Sequence, residues 1–243
     1  MREPSESSGP RLFVDQMLTP GASFPLPPAQ SHYLSGVMRL KAGESLRLFD
    51  DRTGEWLARV TDTSRKTVTI LVERQTDLRE TVPDLWLIAA PIKRSRIDWV
   101  AEKACELGVA RLGFALTRRT VVDRMNLDRL RAHMIEAAEQ CGRTALPQLT
   151  EPVPLSKMLA DWPPDRALIF CDEDGGGPFP DSVRPGPAAI LIGPEGGFAP
   201  EEREQLRAHP AAIRVSLGPR ILRADTAAVA AVALWQAVAG DLR

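Results

Sequence analysis

The pattern of hydrophobic and polar positions changes about one third of the way along the chain. Before residue 81, short apolar or β-branched segments are separated by turn sequences such as Lys41–Glu44 and Asp51–Gly54. A short helix is predicted between them, at 31–38. Strands this short and closely spaced predict a small β-barrel. The predicted strands are 12–14, 45–49, 56–60 and 67–72.

After residue 81, apolar strands alternate with amphipathic helices. Because these strands are apolar on both faces, the alternation predicts a parallel sheet with helices on both faces. Ser95 and Asp98 are predicted to cap the first helix. Pro and Gly are concentrated at 175–187, which predicts an exposed loop. The predicted strands are 84–90, 109–116, 167–171, 188–192 and 213–217, and the predicted helices are 95–107, 126–141, 200–208 and 225–239.

Two loops in this second part could form one ligand pocket, because each follows a strand and precedes a helix. Ligands of open α/β sheets bind beyond the carboxyl ends of the strands. The loop Gly193–Phe198 has three glycines, which let backbone groups approach a flat ligand closely. The loop Leu217–Arg223 carries Arg220 and Arg223. The residues alone leave open whether these loops bind a ligand or are plain turns.

Charge adds a local signal to this picture. The formal net charge of the 243 residues is −1, so the whole chain gives no indication of nucleic-acid binding. Between Pro91 and Arg131, however, ten basic side chains accompany five acidic ones, whereas Glu151–Arg243 has nine basic and thirteen acidic side chains. Phosphate binding needs only one basic face, so the segment 91–131 is the candidate.

Several classes of protein are disfavoured. The three cysteines (Cys105, Cys141, Cys171) form no CxxC pair and are interpreted as small buried residues of a reducing compartment. The three histidines lack ligand spacing, so no metal is expected. A GxGxxG fingerprint is absent, which argues against a nicotinamide oxidoreductase. No signal peptide or membrane-spanning segment is recognised, so a cytoplasmic protein is expected.

Longer motifs carry a resemblance to a known family. The strings LIGPEGGFAPEE and SLGPRILRADTAAVAAVALWQ, with PIKRSRIDWVAEKACELGVARL and EAAEQCGRTALPQL upstream, resemble the RsmE family. These are 16S rRNA uracil-N3 methyltransferases of the SPOUT superfamily. RLFV and HYLSGVMRLKAGESLRLFD resemble the N-terminal domain of that family. The resemblance extends from Arg11 to Ala239.

The resemblance implies an architecture and a function. Residues 1–80 would form a PUA-like β-barrel that binds RNA. Residues 81–243 would form a SPOUT α/β domain, a parallel sheet with helices on both faces whose last segment forms a trefoil knot. The expected cofactor is S-adenosylmethionine, the expected substrate is 16S rRNA of the small ribosomal subunit, and the expected assembly is a homodimer.

Site residues follow from the motifs and from the basic segment. Catalysis is assigned to Arg220, Arg223 and Asp225, with Arg143 as the next candidate to stabilise negative charge on the uracil. The base is left open among Asp225, Glu195, water and no dedicated group. In the barrel, further RNA contacts are expected from Lys41, Arg65 and Lys66. RNA contacts are expected from Arg11, Arg39, Lys93, Arg94, Arg96, Arg118, Arg119 and Arg143. Cofactor contacts are expected from Asp172, Ile192, Gly193, Pro194, Glu195, Gly196, Gly197, Leu217, Gly218, Ile221 and Leu222.

Two alternatives stay open. Another knotted RNA methyltransferase, acting on a ribose 2′-hydroxyl or a tRNA base, would have the same fold and cofactor. A non-catalytic RNA-binding protein of the PUA type would not bind S-adenosylmethionine at all.

Overall fold

The computed structural model describes residues 9–64, 67–121 and 124–242. Arg65 and Lys66, two of the possible RNA contacts, lie outside this range. Contacts between residues divide the chain into two compact units. The first comprises residues 1–81 with 138–145, and the second comprises 82–137 with 146–243.

The first unit contains a five-stranded sheet in the order β1-β3-β4-β5-β2. β1 runs parallel to β3, and the other neighbours are antiparallel. Apolar side chains including Leu34, Leu48 and Ile70 are fully buried in its core. Its described elements are β1 (Arg11–Phe13), β2 (Ser23–Pro25), α1 (Pro28–His32) with a π-helical turn (Tyr33–Val37), β3 (Ser45–Phe49), β4 (Gly54–Asp62) and β5 (Thr69–Leu78).

Asp50 organises the turn between β3 and β4. Its buried carboxylate accepts hydrogen bonds from the backbone N–H groups of Thr53 (2.7 Å), Arg52 (3.0 Å) and Leu18 (2.7 Å). Burial raises the pKa of this carboxyl, but the hydrogen bonds outweigh it and hold the pKa below the ordinary value of 3.8. A lowered pKa means that the ionised group stabilises the fold at neutral pH, and this contribution is lost as pH falls through the lowered pKa.

We expect Asp50→Ala to lower the free energy of unfolding by about 3 kcal/mol, because several buried donors lose their acceptor. Urea denaturation at pH 7 measures the change. Asp15→Ala is the control, since its ion pair with Arg52 is 3.9 Å long and both side chains are more than half exposed. Equal stability of the two variants would contradict the structural role of Asp50.

The second unit is built on a parallel sheet in the order β11-β13-β10-β12-β6-β7-β8, with β9 also paired to β7. The strands are β6 (Leu85–Ala89), β7 (Arg111–Leu116), β8 (Gln148–Leu149), β9 (Val153–Pro154), β10 (Ala167–Cys171), β11 (Gly177–Pro178), β12 (Ala188–Ile192) and β13 (Ala212–Ser216). The helices are α2 (Arg94–Glu106), α3 (Leu127–Cys141), α4 (Leu155–Ala160), α5 (Phe179–Ser182), α6 (Pro200–Ala208) and α7 (Ala224–Val238).

Alternation along the strands gives this sheet two buried faces. Leu168 and Phe170 of β10 pack in one cluster with Leu155 of α4 and Leu206 of α6. Ile169 lies between Leu168 and Phe170 and is also buried, so it faces the other side of the sheet. On that side α7 contacts α2, α5, β12 and β6. The described strand pairs of this unit are parallel, so their carboxyl ends meet at one edge, which positions the loops described below.

The structure corrects three local predictions. The segment 175–187 contains β11 and α5, with Phe179 buried, because its apolar residues complete the edge of the sheet. Ser95 does not cap α2, which begins at Arg94 after Lys93 and has no side-chain cap. Cys141 is exposed at the end of α3 rather than buried. No helix of the described chain is long and apolar enough to span a membrane.

Candidate functional site

A cavity of about 310 Å³ lies beyond the carboxyl ends of three neighbouring strands of the second unit. Its floor contains the ends of β10, β12 and β13, represented by Phe170, Ile192 and Val215. Its walls are the glycine loop (Gly193–Phe198) and the arginine loop (Leu217–Arg223). The two loops singled out in the sequence therefore do line one cavity.

The glycine loop is held in a shape that side chains would disturb. A Cβ atom at Gly193 would lie 2.7 Å from the ring of Phe198, which is buried and packs edge-on against Phe170 at 5.3 Å. Gly197 has a φ of 68°, a conformation that favours glycine, and a Cβ there would lie 2.5 Å from the Glu173 carboxylate. The loop thus presents its main chain to the cavity.

The arginine loop carries two guanidinium groups that are free to meet a ligand. Arg220 and Arg223 line the cavity and are exposed. Within the described residues, neither side chain makes a hydrogen bond or ion pair. Ile221 between them is 89% exposed.

Two other arginines near these loops are already paired. Arg96 donates to Glu195 of the glycine loop at 2.7 Å and lies 3.8 Å from Asp225 of α7. Arg119 donates to the Gly196 carbonyl at 2.5 Å. Arg96 and Arg119 therefore fix the glycine loop. The sequence analysis assigned both residues to RNA binding and did not predict these contacts with the loop.

Arg118 also contacts acidic residues of the protein. Its backbone N–H donates to Glu202 at 2.8 Å and its guanidinium to Glu201 at 2.9 Å, both on α6. The guanidinium pair is exposed, so it does not prevent the side chain from contacting RNA.

A network of charged side chains surrounds the residues that follow β10. The fully buried Asp172 carboxylate accepts from Arg207 at 2.8 Å and from Arg214 at 3.1 Å. Arg203 pairs with Glu173 at 2.6 Å and with Asp174. The hydrogen bond from Arg203 holds the pKa of Asp174 below its ordinary value. Because the Asp172 side chain is occupied, any contact between Asp172 and a ligand is made by its main chain.

Cys171 lies in the lining but is not a nucleophile. Burial raises the pKa of its thiol to about 12, so almost none is present as thiolate at neutral pH. Cys171 therefore supplies no thiolate to the cavity at neutral pH.

The structure overturns two predicted RNA contacts, both in the first unit. Arg11 is 7% exposed, pairs with Glu55 at 2.6 Å and donates to the Ala138 and Arg143 carbonyls. Arg143 is 5% exposed and pairs with Glu80 at 3.2 Å. Arg11 faces inward because it satisfies the buried Glu55 carboxylate and two main-chain carbonyls, and the Arg143 side chain is buried beside Glu80, so neither guanidinium is available to RNA.

The other predicted residues are distributed as follows. Lys93, Arg94 and Arg39 are exposed. Gly196 and Asp225 lie beside the cavity rather than in its lining. The predicted residues that line it are Asp172, Ile192, Gly193, Pro194, Glu195, Gly197, Leu217, Gly218, Arg220, Ile221, Leu222 and Arg223.

Some lining residues were missed in the sequence. Glu173 closely follows β10, so the strand-end rule that identified the two loops could have found it. Arg203 lies on α6, and nothing in the local pattern separates it from a solvated helix position.

The chain is similar to known proteins over both of its units. Residues 79–236 match the model of an RNA methyltransferase domain, and residues 26–73 match an RNA methyltransferase PUA domain. The fold and the strand-end cavity therefore belong to the class of RNA methyltransferases. A relative from Synechocystis, ribosomal RNA small subunit methyltransferase E, is 32% identical over 87% of this chain and 72% of its own. The chain belongs to this methyltransferase E family.

Solved structures agree with that assignment. A methyltransferase from Legionella pneumophila in complex with the cofactor SAM is 30% identical, with a TM-score of 0.87 over 96% of this chain and 99% of its own. Ribosomal RNA small subunit methyltransferase E from Neisseria gonorrhoeae, bound to S-adenosylmethionine, is 28% identical, with a TM-score of 0.87 over 97% and 100%. The predicted fold class is confirmed: a SPOUT-type parallel sheet preceded by a PUA-like sheet.

Proposed function

We propose that this protein binds S-adenosylmethionine between the two loops and methylates N3 of a uridine in 16S rRNA. One observation carries the proposal: Arg220 and Arg223 are unpaired, among described residues, at the rim of a cavity lined by glycine-rich main chain. The names of the relatives support the choice of small-subunit rRNA as substrate.

The residues present fit the cofactor. The cavity of about 310 Å³ suits a ligand of nucleoside size, and Gly193 and Gly197 leave main-chain groups accessible where a Cβ would intrude. Apolar residues such as Leu217 and Ile192 would cover a flat adenine ring. When bound, S-adenosylmethionine supplies an electrophilic methyl group on a sulfonium centre.

The two arginines suit the chemistry at the uracil base that accepts the methyl group. N3 of uracil lies on the Watson–Crick edge, so the target nucleotide must be unpaired or flipped out. As N3 loses its proton, negative charge spreads to O2 and O4. Arg220 and Arg223, whose exposed guanidinium groups line the cavity, would stabilise that charge electrostatically.

The acceptor of the N3 proton is proposed to be Glu195 or water. Glu195 lines the cavity, whereas Asp225 does not and instead lies 3.8 Å from Arg96. We therefore propose that Asp225 positions Arg96, and through Arg96 the glycine loop, rather than taking the proton itself.

The domain assignment is proposed on the same basis. Residues 1–80 would bind RNA as a PUA-like domain and residues 81–243 would carry catalysis and the trefoil knot. Arg39 in the first unit, and Lys93, Arg94 and Arg118 in the second, are exposed and are proposed to contact RNA.

A homodimer in the cytoplasm is also proposed. Val121 and Ile221 are 84% and 89% exposed and both follow strands at the carboxyl edge of the sheet, where a second copy could cover them. Sedimentation of the purified chain tests the dimer.

The function is tested by incubating the protein with methyl-labelled S-adenosylmethionine and, in separate reactions, small ribosomal subunits, free 16S rRNA or tRNA. We expect label at N3 of one uridine, mapped by nuclease digestion and mass spectrometry. Label on a ribose or in tRNA would move the assignment to another enzyme of the same fold. Absence of incorporation together with absence of cofactor binding would favour a non-catalytic RNA-binding protein.

A further inference from the structure

A second cavity, of about 220 Å³, lies at the same edge of the sheet in the second unit. Its apolar lining comes from Ile92 and Ile97, which flank the beginning of α2, and from Met125 and Leu130 at the beginning of α3. Three arginines complete it: Arg94, Arg124 and Arg129. We call this cavity the basic pocket.

The charge of the basic pocket is not balanced by the described residues around it. Arg129 pairs with Asp98 at 2.8 Å. Arg94 and Arg124 are exposed, and within the described residues their side chains make no hydrogen bond or ion pair. Two unpaired guanidinium groups above an apolar floor suit a ligand that has both an anionic and an apolar part.

The N-terminus of α2 adds to the positive potential of the pocket. α2 begins at Arg94 without a side-chain cap, whereas at the start of α3 the Asn126 side chain accepts from the Arg129 backbone N–H at 2.9 Å. The first backbone N–H groups of a helix point out of its N-terminus and favour an anion there. This contribution supplements the arginines, which carry the larger charge.

The place of the pocket in the sheet identifies its ligand. The cavity proposed to bind the cofactor (the cofactor cavity) lies beyond β10, β12 and β13, and Ile92 of the basic pocket closely follows the end of β6. β6 is hydrogen-bonded to β12, and neighbouring strands are about 5 Å apart. The strand ends beside the two cavities are therefore neighbours in the sheet, and Arg96 of α2 pairs with Glu195 of the glycine loop. An RNA strand whose target base enters the first cavity would pass directly over the second.

We propose that the basic pocket binds a nucleotide neighbouring the methylated one, with its phosphate on Arg94 and Arg124 and its sugar or base on the apolar floor. This inference rests on the proposed function, because it takes unpaired RNA as the substrate. It adds a second anchoring point for the strand beside the reacting nucleotide, which would fix the register of the RNA in the site.

The test compares a double variant, Arg94→Gln with Arg124→Gln, against Arg184→Gln. Arg184 is exposed and precedes β12, so the control removes a charge at the opposite edge of the sheet. Binding of a fluorescent single-stranded RNA of the target sequence is measured by anisotropy at several salt concentrations, with S-adenosylmethionine saturating. The double variant is expected to bind about 10- to 100-fold more weakly at low salt.

The salt dependence identifies binding to phosphate. The slope of log Kd against log salt should decrease by about one for each phosphate that the double variant no longer binds, while Arg184→Gln keeps the wild-type slope. The matching double lysine variant keeps both charges and should keep most of the slope. Cofactor affinity and thermal unfolding should match the wild type in all variants, because neither arginine touches the cofactor cavity.

A double variant with the wild-type slope and affinity would overturn the proposal. The proposal would also be overturned if the double variant changed its oligomeric state in solution without a change in RNA binding. The two arginines would then contact a second copy of the chain instead of RNA. The binding assay does not depend on methyl transfer, so failure of the wild-type protein to methylate 16S rRNA would refute the proposed function separately.

Discussion

Replacing Arg223 by alanine is expected to lower kcat for RNA methylation about 100- to 1000-fold, while the affinity for S-adenosylmethionine changes less than about threefold. Arg223 lines the cavity and, within the described chain, its guanidinium makes no hydrogen bond or ion pair. Removing it should therefore leave the fold intact and remove only the charge that opposes the developing negative charge on the uracil. Initial rates at saturating RNA and isothermal titration with the cofactor separate the two effects.

The control for this variant is Arg96→Ala, which removes a paired guanidinium beside the same cavity. Because Arg96 fixes Glu195 of the glycine loop, its removal should weaken cofactor binding as well as catalysis. If Arg223→Ala reduced cofactor affinity to the same degree as activity, Arg223 would be a structural residue. Arg220→Ala tests whether the two arginines share the task.

Replacing Gly193 by alanine is expected to weaken S-adenosylmethionine binding at least about tenfold, whereas Gly196→Ala should stay within about twofold of the wild type. A Cβ at Gly193 would lie 2.7 Å from the buried Phe198 ring, which cannot move without disturbing Phe170. Overpacking of this kind costs about 1–3 kcal/mol. At Gly196 the Cβ would meet only Arg119, at an ordinary 3.6 Å.

The two variants lie three residues apart in one loop and add the same methyl group, so they differ only in local packing. Wild-type affinity of both variants, measured by titration calorimetry, would show that cofactor binding does not depend on the shape of the glycine loop. Equal weakening in both would show that the loop tolerates a Cβ at neither glycine, which the space around Gly196 argues against.

Much of the second unit could be predicted because its elements follow local rules. The strands Ala167–Cys171 and Ala188–Ile192 and the helix Pro200–Ala208 have the predicted bounds, since a short apolar run or a Pro followed by acidic residues defines each one. The short elements at 148–160 and 177–182 were missed. They are two to six residues long, too short for a period to be visible, and the strands among them form by pairing with strands far away in sequence.

The arginines show most clearly what local sequence rules do not predict, which is whether a guanidinium group is paired in the fold. Arg11, Arg96 and Arg223 are equally basic in sequence, and each was assigned to RNA or to catalysis. In the structure Arg11 is buried against Glu55, Arg96 holds the glycine loop, and Arg223 is exposed at the cavity. Whether a guanidinium is available to a ligand depends on carboxylates and carbonyls that lie 44 or 99 residues away along the chain.

The sequence by itself determined the alternation of strands and helices, the two loops at strand ends and, through its motifs, the family. These depend on short-range patterning and on backbone freedom at Gly193–Phe198, both of which are local properties. Only the tertiary structure decided which charges are paired and that a second, basic pocket lies beside the cofactor cavity. That outcome depends on strand order, because β12 and β6 are about 100 residues apart in the chain yet neighbours in the sheet.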